Sequence, residues 1–177
     1  SQRDQLAEDG IVLKKGSAPS VDLEPEYIAV SGGKAYVTLQ ENNAIAVLDI
    51  ESQAFEGVYS AGFEDHSTTA IDLDKKDDAY DPQTYESLLG IRMPDGIAAF
   101  EKDGKTYLLT ANEGDSRADW AGLNNESEGK TSPTGDVKLD KKVVWFNASL
   151  WDGLDQSKAY VFGGRSFSLY EVTEVGL

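Results

Sequence analysis

The sequence predicts an all-β chain, a partial β-propeller of about two and a half blades built from antiparallel meanders with long acidic loops. Three observations lead there: short β-rich runs divided by turn residues, the return of one strand-turn-strand phrase, and acidic insertions between the copies. Tyr27 to Val30, Ala35 to Leu39 and Ala44 to Ile50 are the first runs, separated by Ser31-Gly32-Gly33-Lys34 and Glu41-Asn42-Asn43. Gly and Asn supply the positive φ that tight hairpin turns demand, so the three runs form a meander.

The phrase then returns. Pro25-Glu26-Tyr27-Ile28-Ala29 is echoed by Pro94-Asp95-Gly96-Ile97-Ala98, and Gly33-Lys34-Ala35-Tyr36-Val37 by Gly104-Lys105-Thr106-Tyr107-Leu108. A fainter third copy is Ala159-Tyr160-Val161 followed by Ser166-Phe167-Ser168-Leu169-Tyr170. A small twisted sheet cannot bury both faces alone, and repetition lets neighbouring sheets cover one another. Copies stand about 70 residues apart, against about 40–45 for a common propeller blade. The insertions Ser60 to Met93 and Glu113 to Val137 hold the surplus. Residues 1–20 read as a polar N-terminal tail, and residues 21–177 as a partial propeller domain truncated at its C-terminal end. The expected partners are therefore the remaining blades of a longer protein, or another chain at exposed strand edges.

Composition narrows the chemistry. Of 177 residues, 32 are Asp or Glu and 16 are Lys or Arg, a net charge of −16 that repels nucleic-acid backbones and anionic lipid headgroups. Cysteine is absent, which removes disulfides, thiolate catalysis and Cys-based metal sites. No apolar run is long enough for a spanning helix, and Ser1 to Gly10 lacks the pattern of a signal peptide; if the protein is exported, its signal has been removed. Asn125-Glu126-Ser127 and Asn147-Ala148-Ser149 fit the glycosylation sequon, a pattern short enough to arise by chance.

Glu64 to Glu86 is the densest acidic stretch, with Asp72, Asp74, Asp77, Asp78 and Asp81 as the pool of calcium ligands. Calcium takes six to eight oxygens, which a flexible carboxylate-rich loop supplies, and the alternative is a solvated acidic loop. The EF-hand pattern fails, because Lys76 stands at the third acidic position and no Gly follows it. His66 is the only histidine and reads as a surface residue; Trp120 and Trp151 lie in polar surroundings and are candidates for a binding role. Tyr36, Tyr107, Trp145, Phe146, Tyr160, Phe162, Phe167 and Tyr170 read as packing between blades. No nucleophile elbow, Walker A or dinucleotide-binding glycine pattern is present.

Leu23-Glu24-Pro25-Glu26-Tyr27-Ile28-Ala29-Val30, Ala35 through Ala44, Met93-Pro94-Asp95-Gly96-Ile97-Ala98, Leu109 through Arg117 and Gly163-Gly164-Arg165-Ser166-Phe167-Ser168 together resemble the choice-of-anchor I family. That family includes bacterial surface and secreted proteins, often described as alkaline-phosphatase-like, and is similar to the mesenchyme-specific cell surface glycoprotein of biomineralising animals. The resemblance implies an extracellular, cell-surface or periplasmic β-propeller larger than this chain, in calcium-rich or phosphate-related settings. It carries over no catalytic residues. Asp95, Glu113, Asp115 and Arg117 are the further ligand-facing candidates, with the alternative that Asp115 and Arg117 form a charge pair that locks a turn and that Asp95 serves turn chemistry. The functional expectation is a non-catalytic secreted or cell-surface binding module, with Ca²⁺ as its cofactor. The alternatives are a metal-dependent phosphatase- or phosphodiesterase-like hydrolase, or a structural module beside a separate catalytic domain.

Overall fold

The computed structural model describes residues 2–73, 79–115, 117, 148–174 and 176–177. Among these, helix is confined to α1 (Gln2–Glu8), the single turn α2 (Pro19–Asp22) and a 3₁₀ turn, Ala148–Leu150. The strands are β1 (Leu13–Lys14), β2 (Ile28–Ser31), β3 (Lys34–Leu39), β4 (Ala44–Asp49), β5 (Ala54–Ser60), β6 (Phe63–Asp65), β7 (Leu88–Ile91), β8 (Pro94–Lys102), β9 (Lys105–Asn112), β10 (Trp151–Asp152), β11 (Ala159–Phe162) and β12 (Ser166–Glu171). The chain is all-β in character, and its described residues form four sheets of order β2-β3-β4-β5, β8-β9-β12, β6-β7-β11 and β1-β10, none of them closed.

Two hairpins, β2–β3 and β8–β9, follow from their turns. Gly32 and Gly33 join β2 to β3 with φ of 57° and 78°, and Asp103 and Gly104 join β8 to β9 with 52° and 76°. Two consecutive left-handed residues make the turn whose twist matches the flanking strands, as the sequence anticipates. β5 lies beyond the anticipated meander and adds a fourth strand against β4, with a register irregularity between Val47 and Leu48.

Burial separates the two large sheets. In β3 and β4 the alternation places Tyr36, Ile45 and Val47 in one cluster with Leu108 of β9, against which Ile97, Ala99 and Tyr170 pack. Val37, Leu39, Ala44 and Ala46 point the opposite way, into a second cluster with Ile11 and Leu13. The β3–β4 centre of the β2-β3-β4-β5 sheet is thus covered on both faces, while Ile28 and Val30 of β2 and Phe55 of β5 stand exposed. The β8-β9-β12 sheet is covered on one: Leu108, Thr110 and Asn112 are buried, while Leu109, Phe167 and Leu169 stand 40%, 75% and 57% exposed. Phe167 therefore lies on an open face rather than in a packed layer.

Regular structure starts earlier than Val21. Ile11, Val12 and Leu13 are fully buried and serve two clusters, and the segment after α1 docks through Val12 N–H to Asn42 O at 2.9 Å. The third repeat divides between sheets. β11 runs parallel to β7, while β12 is antiparallel to β9, so Ala159 to Tyr170 makes no hairpin of the kind the echo implied. The intervening Gly163-Gly164-Arg165 carries the chain across, and Gly163 sits so close to Glu113 O and the Gly114 backbone that a side chain at either glycine would collide with main chain.

The β3–β4 turn, Gln40-Glu41-Asn42-Asn43, is buried throughout although wholly polar. Asn43 has φ of 55°; its Nδ2 donates to Gly62 O and its Oδ1 accepts the Met93 amide, both at 2.9 Å, while Ala61 N–H donates to its carbonyl. Asn42 Nδ2 donates to Val12 O at 2.8 Å. One turn therefore joins the N-terminal segment, the exit of β5 and the entry to β8. Asn43→Ala leaves the buried Met93 amide and the part-buried Gly62 carbonyl without their Asn43 side-chain partner, and places a Cβ residue without local compensation in the left-handed region. We expect a loss of about 2–4 kcal/mol in urea denaturation, with the denaturant slope unchanged.

Candidate functional site

The site grows from one buried cation. Arg117 is 1% exposed and lies against α2, where Pro19 in the first turn suits a short helix and the chain leaves through Leu23 in an extended conformation. Its Nη1 donates to Asp22 Oδ1 and its Nη2 to Asp22 O, both at 2.9 Å. Its Nε stands 2.9 Å from Glu24 Oε1, and its guanidinium carbon 5.3 Å from the ring centre of Trp151. The other oxygen of Asp22 accepts the Lys14 amide at 2.8 Å, so the carboxylate ties α2 to β1 as well as to Arg117. A desolvated guanidinium requires paired anions and stacks well on an aromatic face; both conditions are met.

Glu24 and Glu26 alternate along the extended chain after α2 and so share a side, while Glu26 N–H donates to Thr38 O and holds this segment along β3. Glu41 arrives from the β3–β4 turn. Carboxylate oxygens of Glu24, Glu26 and Glu41 lie within 4.8 Å of one another, ranging from the exposed Glu26 to the buried Glu41. Burial pushes the Glu24 carboxyl up to about 7, outweighing the lowering by Arg117, and Glu41, Glu26 and Asp22 push the same way. Burial also raises Glu41, against its own backbone hydrogen bond and Arg117, with Glu26 and Asp115 adding to the rise.

The sequence candidates are distributed differently. Asp74, Asp77, Asp78, Trp120, Trp145, Phe146 and the sequon residues Asn125 and Asn147 lie outside the described residues. Asp72 and Asp81 are brought together: Ile71 and Gln83 exchange two backbone hydrogen bonds, and Asp72 Oδ2 accepts the Asp81 amide at 3.2 Å. Asp95 is half-buried at the irregular start of β8, and Glu113 and Asp115 are exposed. Arg117 does not stay local; it reaches back to Asp22 and Glu24. His66 is buried, not superficial, at 2% exposure, with Nδ1 2.9 Å from Thr69 O, which puts the ring proton on Nδ1. Trp151 is likewise buried, packed with Val12, Ile91, Met93 and Tyr160.

Sequence reasoning missed Asp22, Glu24 and Glu41 as site residues. One signal was available. Gln40-Glu41-Asn42-Asn43 closes its hairpin much as Asn112-Glu113-Gly114-Asp115 ends β9, so the Glu of the first copy stood beside turn residues already under suspicion in the second.

The raised carboxyls fix a sign. A proton is held more tightly at Glu24 in the folded chain than at its ordinary value of 4.5, so this contribution to stability is complete below that value and lost as pH rises through about 7. Without added divalent cations, the melting temperature should fall as pH is raised from about 5 to about 8. Glu24→Gln should flatten that segment of the profile, and a profile equally steep in the variant would contradict the assignment.

The whole chain, residues 1–177, matches the choice-of-anchor I domain. No curated protein and no solved structure matches it. With the full-length match added to the sheets and the shared phrases, the chain belongs to the choice-of-anchor I domain family.

Proposed function

We propose that this chain is a non-catalytic binding module of an exported or cell-surface β-propeller, and that calcium is taken up by its acidic loop. Family membership supports display outside the cell, and no helix among the described residues is long and apolar enough to cross a membrane. The observation that carries the propeller reading is the stacking of two like sheets with the second left open. Tyr36, Ile45 and Val47 of the first sheet pack on Leu108 of the second, whose outer face exposes Phe100, Leu109, Phe167 and Leu169. In a stacked array that face is covered by the next blade, supplied by a longer polypeptide or by another chain. The Ile71–Gln83 clasp, which draws Asp72 and Asp81 to the neck of one loop, supports calcium there.

Calorimetric titration of calcium into chelator-treated protein tests the reading. A saturable heat is expected, reduced in the Asp72→Asn/Asp81→Asn double variant and weaker with magnesium. The same preparation should leave a chromogenic phosphate ester intact with calcium, magnesium or zinc. Metal-dependent turnover would replace this reading with a hydrolase, and identical calcium heats in wild type and the double variant would remove the acidic loop from it.

A further inference from the structure

We infer that Glu24, Glu26 and Glu41 form a second divalent-cation site, of the calcium class, at the β3–β4 turn and separate from the Asp72–Asp81 loop. The geometry is that of a cation cage. Two oxygens on opposite sides of a calcium ion stand about 4.8 Å apart, from metal–oxygen distances of about 2.4 Å, and all three glutamates offer oxygens within that span. An acidic cluster alone would be ordinary. This one contains a buried anion with an unmet need: Glu41 is 8% exposed, and its Oε2 is fully buried with no hydrogen-bond partner. A buried carboxylate oxygen without donor or cation is costly, and direct coordination removes that cost.

Arg117 offsets part of the cluster's charge: its Nη1 and Nη2 donate to Asp22, its Nη2 also approaches Asn42 Oδ1, and its Nε stands 2.9 Å from Glu24 Oε1. Among the described residues of this cluster, Asp22, Glu24, Glu26 and Glu41 carry four formal negative charges against one on Arg117, a balance of −3 when all are ionised. The gradient of exposure also fits an ion entering from solvent: Glu26 is exposed, Glu24 half-buried and Glu41 buried. Such a site would be structural, because the same turn carries the Asn42 and Asn43 contacts that join the N-terminal segment to the sheets. Carboxylates and waters, without nitrogen or sulfur ligands, select a hard cation over zinc or copper.

The test is calcium titration of the full 177-residue chain after chelator treatment, in wild type, Asp72→Asn/Asp81→Asn, Glu26→Gln and Glu41→Gln. One saturable binding event should survive in the loop double variant, weaken at least tenfold in Glu26→Gln and disappear in Glu41→Gln. With chelator present, Glu41→Gln should melt above wild type, since it removes one charge from a repelling cluster. Retained affinity in either Glu variant, or no event surviving in the loop double variant, overturns the proposal. Glu26 is exposed, so its variant decides the question even where Glu41→Gln fails to fold.

Discussion

Burying a polar turn is expensive unless each donor and acceptor finds a partner, and in the Gln40–Asn43 turn Asn42 and Asn43 meet that constraint with partners far away in sequence, whereas one Glu41 oxygen does not. Asn42 closes on Val12 of the N-terminal segment, and Asn43 closes on Gly62 and Met93 at the exit of β5 and the entry of β8. A solvent-facing hairpin end would have needed none of these. Because the turn is enclosed, the segments around it must hold a fixed arrangement, and the Arg117 pocket inherits that arrangement: Asn42 Oδ1 faces both the Glu24 amide and Arg117 Nη2.

The same constraint explains why a chain with so many acids places several of them inside. Surface carboxylates have ordinary solvated roles in the Asp49–Ser52 and Asp155–Ser157 turns, where a backbone amide and a hydroxyl hold each carboxyl below its usual range. Asp22 and Glu41 differ, being buried at the point where strands converge. Asp22 is neutralised by Arg117 and an amide; Glu41 retains an oxygen that protein groups do not satisfy. That difference, more than the overall charge, distinguishes structural acids from ligands.

The parts of the fold that were legible in sequence are those governed by local rules. Gly32-Gly33 and Asp103-Gly104 fix their hairpins through backbone conformation alone, and the Tyr36 and Tyr107 copies mark equivalent strands of stacked sheets. β5 escaped because Ala54 to Ser60 is only partly buried and carries a weak alternation. The parallel pairing of β11 with β7 joins segments about 70 residues apart, and no local pattern records it. The candidate site was missed for a related reason: Glu24, Glu41 and Arg117 meet only after three sequence-distant segments converge, and each alone resembles an ordinary surface charge. Trp151 and His66 misled in the opposite direction, since polar neighbours in sequence say little about packing in space.

If the buried turn organises the fold, the amides that end on it should open only when the strands themselves open. Native-state hydrogen exchange at Val12, Ala61 and Met93, whose acceptors are Asn42 O, Asn43 O and Asn43 Oδ1, measures this directly. The account predicts that these three amides exchange with the same opening free energy as the β3–β4 core amides of Val37 and Ile45. Exchange of the three at the low protection of a frayed loop, while β3 and β4 stay closed, would contradict it.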